Sequence, residues 1–105
     1  MDVQLKKGLL EICVLAVLKV QDSYGYQIVK DISPHIDVSE STLYPILKRL
    51  EQSGCVDVYT VEYNSRLRKY YKITPFGKQR IEEFLAEWDD MKQAYQFIKG
   101  GYAHE

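Results

Sequence analysis

Hydrophobic positions in the first third of the chain predict two helices. Residues 5–20 are apolar on nearly every side, so we expect a buried helix that packs partly against a second chain, because one small domain cannot enclose it. Residues 24–32 repeat with helical spacing and predict a second helix, with Asp22 or Ser23 as its N-cap. Pro34 predicts the end of that helix, since the residue before a proline avoids the helical region.

The third predicted helix runs from Ser39, a favourable N-cap, to Gly54, a favourable C-terminal stop. Its inner face carries apolar residues at i, i+3, i+4 and i+7, which are Leu43, Ile46, Leu47 and Leu50. Pro45 lies inside this helix and removes one backbone hydrogen bond. We therefore expect a tightened or slightly kinked first turn.

From residue 56 onward the hydrophobic period changes to two, which indicates β-structure. Residues 56–63 are rich in β-branched and aromatic side chains and predict a strand. Residues 64–66 predict the turn, and 67–73 predict the returning strand. An isolated hairpin is marginally stable in water, so this one is expected to pack against the helices.

Thr74 and Pro75 predict the N-cap and first position of a long last helix. Its hydrophobic residues step by threes and fours, as in a coiled-coil seam; they are Ile81, Phe84, Trp88, Met91, Tyr95 and Ile98. A helix of about 25 residues is ~37 Å long, more than a domain of this size covers. We therefore predict that the seam contacts a second copy of the chain, together with Leu9 and Ile12 of the first helix.

The order of these elements predicts a mainly α protein with a β-hairpin wing. The fold class is a winged helix-turn-helix followed by a long C-terminal dimerisation helix. Residues 1–75 would form the winged helix-turn-helix, whose first helix also contributes to the dimer. Residues 76–99 would form the dimerisation helix, and residues 100–105 a flexible tail.

The charge is unevenly distributed although the net charge is only −1. Residues 1–43 hold four basic against six acidic side chains, a net charge of −2. Residues 44–80 hold eight against three, a net charge of +5, and residues 81–105 hold two against six, a net charge of −4. A basic middle between acidic ends indicates a local site for a polyanion.

Composition argues against several other classes of protein. The apolar run 12–18 is far shorter than the ~20 residues that span a bilayer, so we expect a cytoplasmic protein without a membrane partner. Cys13 and Cys55 form neither a metal pattern nor a disulfide framework. His35 and His104 belong to no converging catalytic set. We therefore predict no enzymatic activity, no cofactor and no metal site.

The outer face of the third helix combines hydroxyls, an aromatic ring and cations, an unusual mixture for a solvated surface. We predict that its DNA-binding residues are Ser39, Ser41, Thr42, Tyr44, Lys48 and Arg49. The hairpin adds Arg66, Arg68 and Lys69, predicted to contact phosphates or the minor groove. Two alternatives stay open: a packed helix with a polar outer face, and a winged helix that binds proteins without DNA.

Three segments of the chain resemble the PadR family of bacterial transcriptional regulators: 24–28 (YGYQI), 42–54 (TLYPILKRLEQSG) and 68–77 (RKYYKITPFG). Pro45 matches a proline common in the family. The single long last helix is similar to the smaller PadR subfamily. The resemblance implies a homodimeric repressor of a neighbouring transporter, membrane-protein or stress-response gene, bound to a palindromic operator. The family usually has a Gly-rich or Pro-rich wing tip, whereas residues 64–67 (NSRL) predict a shorter wing.

Trp88 has two interpretations. As a central seam residue it would fill the core of the dimer. In some relatives an aromatic residue of the last helix faces its symmetry mate and stacks flat aromatic ligands, so the resemblance implies a candidate effector site at Trp88 and Asp89. Asp89 or the neighbouring Asp90 would attract a cationic ligand.

Overall fold

The structure, a computed structural model, describes residues 1–101. Its elements are α1 (Val3–Val20), α2 (Gly25–Ile32), α3 (Glu40–Gln52), β1 (Val56–Tyr63), β2 (Arg66–Ile73) and α4 (Pro75–Ile98). The two strands form an antiparallel hairpin. The predicted class, mainly α with a β-hairpin wing, is confirmed. Residues 102–105 of the predicted tail lie outside the described part of the chain.

The hydrophobic core lies between the first three helices and the base of the hairpin. Leu15, Ile28, Leu43 and Val56 come from four different elements and are almost completely buried. The predicted inner face of α3 is confirmed, since Leu43, Ile46, Leu47 and Leu50 are all buried. Burial of this face fixes the rotation of α3 and turns its opposite side to solvent.

Helix α1 begins earlier than its hydrophobic pattern predicts. Asp2 is the N-cap, and its carboxylate accepts hydrogen bonds from the backbone N–H groups of Gln4 (3.1 Å) and Leu5 (3.2 Å). This cap allows the helix to begin at Val3, two residues before the predicted start at residue 5. Within the described residues, no helix is both long and apolar enough to cross a membrane.

The predicted cap of α2 is wrong. Tyr24 occupies the N-cap position and makes no side-chain capping bond. Ser23 is instead buried, and its backbone pairs with that of Tyr71 through N–H···O bonds of 3.2 and 2.8 Å. Asp22 accepts a hydrogen bond from the hydroxyl of Tyr59 at 2.7 Å. Both residues expected to cap α2 therefore form hydrogen bonds to the hairpin instead.

Helix α3 continues through Pro45 without a break. Its first turn is not tightened as expected, because the N–H of Leu43 bonds to the carbonyl of Ser39 at 2.9 Å, the spacing of an ordinary α-helix. Pro45 leaves the carbonyl of Ser41 without its helical donor. Ser41 and Pro45 are both exposed, so water can bind that carbonyl.

The hairpin turn is shorter than predicted. Asn64 and Ser65 are its two central residues, with φ angles of 50° and 63°. Arg66, predicted as part of the turn, belongs to β2 and pairs with Tyr63. Two residues at positive φ form a type I′ turn, whose twist matches that of the flanking strands.

The predicted start of α4 is confirmed, with Thr74 as N-cap and Pro75 in the first turn. The hydroxyl of Thr74 accepts a bond from the N–H of Gly77 at 3.1 Å and donates to the carbonyl of Gly54 at 2.6 Å. The helix has 24 residues, about 36 Å. Past Ile81 most of its side chains are exposed, so its distal half projects from the core.

Candidate DNA-binding surface

Three hydroxyl side chains gather at the N-terminal end of α3. Ser39 Oγ lies 3.0 Å from Ser41 Oγ and 3.1 Å from Thr42 Oγ1, and it accepts a bond from the N–H of Thr42 at 3.3 Å. All three residues are exposed. Hydroxyls both donate and accept, and a helix N-terminus favours negative charge, so this end suits phosphate oxygens and base edges.

Tyr44 comes after these three hydroxyl residues on the exposed side of α3, and its ring packs over the start of α2. A Cβ placed on Gly25 would stand 2.6 Å from the Tyr44 hydroxyl. That hydroxyl donates to Glu40 Oε2 at 3.4 Å. Partial burial, and next the Glu40 carboxylate, raise the pKa of Tyr44 above its ordinary value. The phenol is therefore neutral at physiological pH and remains a hydrogen-bond donor.

Lys48 lies one helical turn after Tyr44 and is exposed. Within residues 1–101, no carboxylate lies within ion-pair distance of its ammonium group. An exposed cation of this kind can neutralise a phosphate without first breaking an internal ion pair.

Arg49 was predicted to contact DNA, but in the structure its side chain is directed toward α1. Its Nε donates to Glu11 Oε2 at 2.6 Å, and the second oxygen of Glu11 accepts from Arg80 Nη2 at 3.0 Å. The Glu11 side chain is 15% exposed. Arg49 is therefore part of an ion network that joins α1, α3 and α4.

The three predicted wing cations lie on two faces of the hairpin. Arg66 and Arg68 share one face with Tyr63, whereas Lys69, opposite Thr60, points to the other face. The guanidinium of Arg68 lies between two rings, with Cζ 4.0 Å from the centroid of Tyr24 and 4.1 Å from that of Tyr63. Arg66 and Lys69 are exposed near the tip.

A cleft separates the wing from the starts of α2 and α3. It has a volume of about 730 Å³ and is lined by Tyr24, Gly25, Tyr26, Tyr44, Tyr63, Asn64, Arg66, Leu67, Arg68, Lys69 and Tyr71. The structure thus brings all three predicted wing residues and Tyr44 to one cleft. Sequence reasoning missed Tyr24, Tyr26 and Tyr63, although the nine tyrosines of the chain were a signal for them.

The predicted dimer seam separates into two parts. Ile81 is 6% exposed and packs into the core of its own chain, which leaves little of its surface for the predicted interface. Phe84 is half-buried and stacks on Trp88, with ring centroids 6.2 Å apart. The remaining seam residues are exposed: Trp88, Met91, Tyr95 and Ile98. Leu9 and Ile12 are half-buried. Asp89 is exposed beside Trp88.

A family model described as "Transcriptional regulator PadR-like family" matches residues 14–83. That match contains all of α2, α3 and the hairpin. It includes both the hydroxyl-bearing end of α3 and the wing cations. The members of this family are transcriptional regulators, which are not enzymes.

Solved structures share the fold. The structure of smu.1704 from Streptococcus mutans has 38% sequence identity over 94% of each chain, with a TM-score of 0.79. A PadR family transcription regulator from Clostridium difficile has 30% identity over 87% of this chain and 98% of the other, with a TM-score of 0.77.

A third structure contains DNA. It is Bacillus subtilis PadR in complex with operator DNA, with 26% identity over 72% of this chain and a TM-score of 0.67. The match spans 46% of that longer chain. The protein described here therefore has a winged-helix fold and belongs to the PadR-like family of transcriptional regulators.

Proposed function

We propose that the chain is a homodimeric repressor that binds a palindromic operator near a transporter, membrane-protein or stress-response gene. One observation carries the proposal: Tyr44, on the exposed side of α3, lines the same cleft as the wing residues Arg66 and Lys69. A helix that reads the major groove and a hairpin that contacts phosphates must lie side by side to bind the same stretch of duplex. A repressor of this kind would act in the cytoplasm, where bacterial DNA lies.

In this proposal the start of α3 enters the major groove. Ser41, Thr42 and Tyr44 would offer hydroxyl groups to base edges or phosphates, and Lys48 would neutralise a phosphate. Arg66 and Lys69 would contact the backbone on either face of the wing. Arg49 is left out of the proposed interface because Glu11 already holds it.

The dimer would form through the distal part of α4. Met91, Tyr95 and Ile98 are 54%, 54% and 79% exposed, a costly arrangement for large apolar side chains in a row on one helix. Covering them with the same face of a second copy removes this surface from water. Two copies of α3 would then read half-sites about one DNA turn, ~34 Å, apart. A dimer on both half-sites would repress by occupying the promoter.

An electrophoretic shift titration tests the DNA-binding proposal. The probes are duplexes from upstream of the protein's own gene and neighbouring genes, with a scrambled duplex of equal length and composition as control. We expect a specific shift, and Lys48→Ala should weaken it and lower the slope of log K against log salt by about 1. Lys92→Ala, a matched exposed lysine on α4, should change neither.

Equal binding to operator and scrambled duplexes would overturn the repressor proposal. Absence of a shift with every duplex would overturn it too, and would favour the alternative of a winged helix that binds proteins without DNA. An unchanged slope in Lys48→Ala would instead show that the wrong face of α3 was chosen, while leaving specific binding intact.

A flat aromatic effector is the proposed release signal. In the dimer, Trp88 would stack the ligand, with Phe84 behind it at 6.2 Å and Asp89 available to a cationic group. Titration with a planar cationic dye should quench the fluorescence of Trp88, the single tryptophan, and release operator DNA. Asp89→Asn should weaken dye binding. Absence of quenching at saturating dye would contradict the effector site.

A further inference from the structure

Among the three wing cations, Arg68 is the one whose guanidinium contacts aromatic rings. Its guanidinium carbon lies 4.0 Å from the Tyr24 centroid and 4.1 Å from the Tyr63 centroid, and the residue is half-buried. Arg66, two residues earlier on the same face, is exposed and has no such ring contact among the described residues. The Arg68 guanidinium is therefore in contact with two aromatic rings, one at the start of α2 and one at the end of β1.

The ring contacts continue from Arg68 toward the base of the hairpin. Tyr24 lies 5.4 Å from Tyr70, and Tyr70 stacks on Tyr59 at 5.7 Å, measured between ring centroids. Tyr59 in turn donates its hydroxyl to Asp22 at 2.7 Å. One face of both strands is thus attached to the residues that enter α2.

The tip of the wing needs such an attachment. The backbone pairing of Ser23 with Tyr71 holds the hairpin near its base. From Tyr71 to Arg66 the strand extends a further ~17 Å, at about 3.4 Å per residue. A two-stranded hairpin is marginally stable by itself. Tyr63 is the last residue of β1 and Tyr24 the N-cap of α2, so Arg68 connects the tip directly to the start of that helix.

We infer that Arg68 is a positioning residue that fixes the angle of the wing against α2, rather than a phosphate contact. This inference rests on the proposed DNA-binding surface and revises the prediction made for Arg68 from the sequence. In this role Arg68 acts through its contacts with the two rings, by cation–π attraction and by packing of its stem, and does not have to reach the DNA. Arg66 and Lys69 remain the wing's phosphate contacts.

The test compares Arg68→Ala, Arg68→Met and Arg66→Ala. Methionine keeps an unbranched chain between the rings but removes the charge. We expect Arg68→Ala to weaken operator binding about tenfold with an unchanged salt slope. Arg68→Met should recover part of that loss, because its unbranched chain and sulfur still pack on the rings although the cation–π attraction is gone. Arg66→Ala should lower the slope by about 1.

Amide hydrogen exchange of the free protein provides a readout that needs no DNA. In Arg68→Ala the amides of the wing tip should exchange faster, while those of the α3 core are unchanged. Tyr63→Leu should have the same effect, and the double variant should show no further change, because either substitution breaks the connection from Tyr63 through Arg68 to Tyr24. If wild type binds no operator specifically, the proposed function fails, but the exchange result still decides the role of Arg68.

The inference is overturned if Arg68→Ala and Arg68→Met lose equal affinity, each with a slope lowered by about 1, while wing exchange stays as in wild type. That result would make Arg68 a direct phosphate contact. Additive effects of Arg68→Ala and Tyr63→Leu on wing exchange would also overturn it, because the two side chains would then act independently.

Discussion

The ring of Tyr44 lies so close over Gly25 that a Cβ at position 25 would stand 2.6 Å from its hydroxyl and 2.9 Å from the ring carbon that carries it. Tyr44 belongs to α3 and Gly25 is the first residue of α2. The absence of a side chain at one position therefore sets the direction of an aromatic side chain at the other, on the surface proposed to meet DNA.

We predict that Gly25→Ala weakens operator binding while leaving stability nearly unchanged. The clash involves the far end of a side chain, so Tyr44 can swing outward, and alanine is a better helix former than glycine by about 1 kcal/mol. Operator affinity is measured by fluorescence anisotropy and stability by urea unfolding. In a Tyr44→Ala background, Gly25→Ala should have no further effect on affinity. An equal loss in both backgrounds would contradict the mechanism.

We predict that Glu11→Gln destabilises the domain by about 1–3 kcal/mol. Glu11 is largely buried and neutralises both Arg49 and Arg80, which would be left facing a neutral amide. The two arginine side chains are 50% and 32% exposed, and solvent lowers the cost accordingly. The midpoint of urea unfolding measures the change.

The matched control is Glu82→Gln. Its carboxylate is 70% exposed and lies 4.0 Å from Lys19. An exposed pair at this distance contributes little, so the change should stay within about 0.5 kcal/mol. Equal destabilisation by the two substitutions would show that Glu11 does not hold the three helices together.

We predict that Ser65→Gly stabilises the wing by about 1 kcal/mol, because a left-handed conformation costs a non-glycine residue roughly that amount. Ser65 has φ 63° and is the second central residue of the type I′ turn, where glycine is preferred after asparagine. Amide exchange in Thr60 and Lys69, which pair across the hairpin, should slow. Ser65→Ala keeps the Cβ and should give no gain; equal protection in both variants would argue against backbone strain.

We predict that Met91→Glu combined with Ile98→Glu abolishes the dimer. Two carboxylates on the seam would have to be buried against their symmetry copies, and burial of unpaired charge costs several kcal/mol. Sedimentation velocity measures the mass of the particle, and operator affinity should fall with dissociation. Lys92→Glu, exposed and next to Met91, is the control and should remain dimeric. A dimeric double variant would place the interface elsewhere.

The sequence by itself determined the order and kind of the elements. Helical period, strand period and end signals depend on residues a few positions apart, so α3 with its buried leucines, the hairpin and the Thr74 cap of α4 could be read from the chain. Such patterns report which side of an element is buried, since burial follows the period. They also placed a hydroxyl-bearing helix end before a basic hairpin, which is the outline of the candidate surface.

Only the tertiary structure decided how individual side chains are engaged. Arg49 is held by Glu11 from another helix, Ser23 pairs with Tyr71 instead of capping α2, and Arg68 lies between rings of Tyr24 and Tyr63. These partners are far apart along the chain and meet because the core packs their elements together. From the sequence, an exposed charged or aromatic side chain that is free to bind DNA cannot be distinguished from one that contacts a residue distant in the chain.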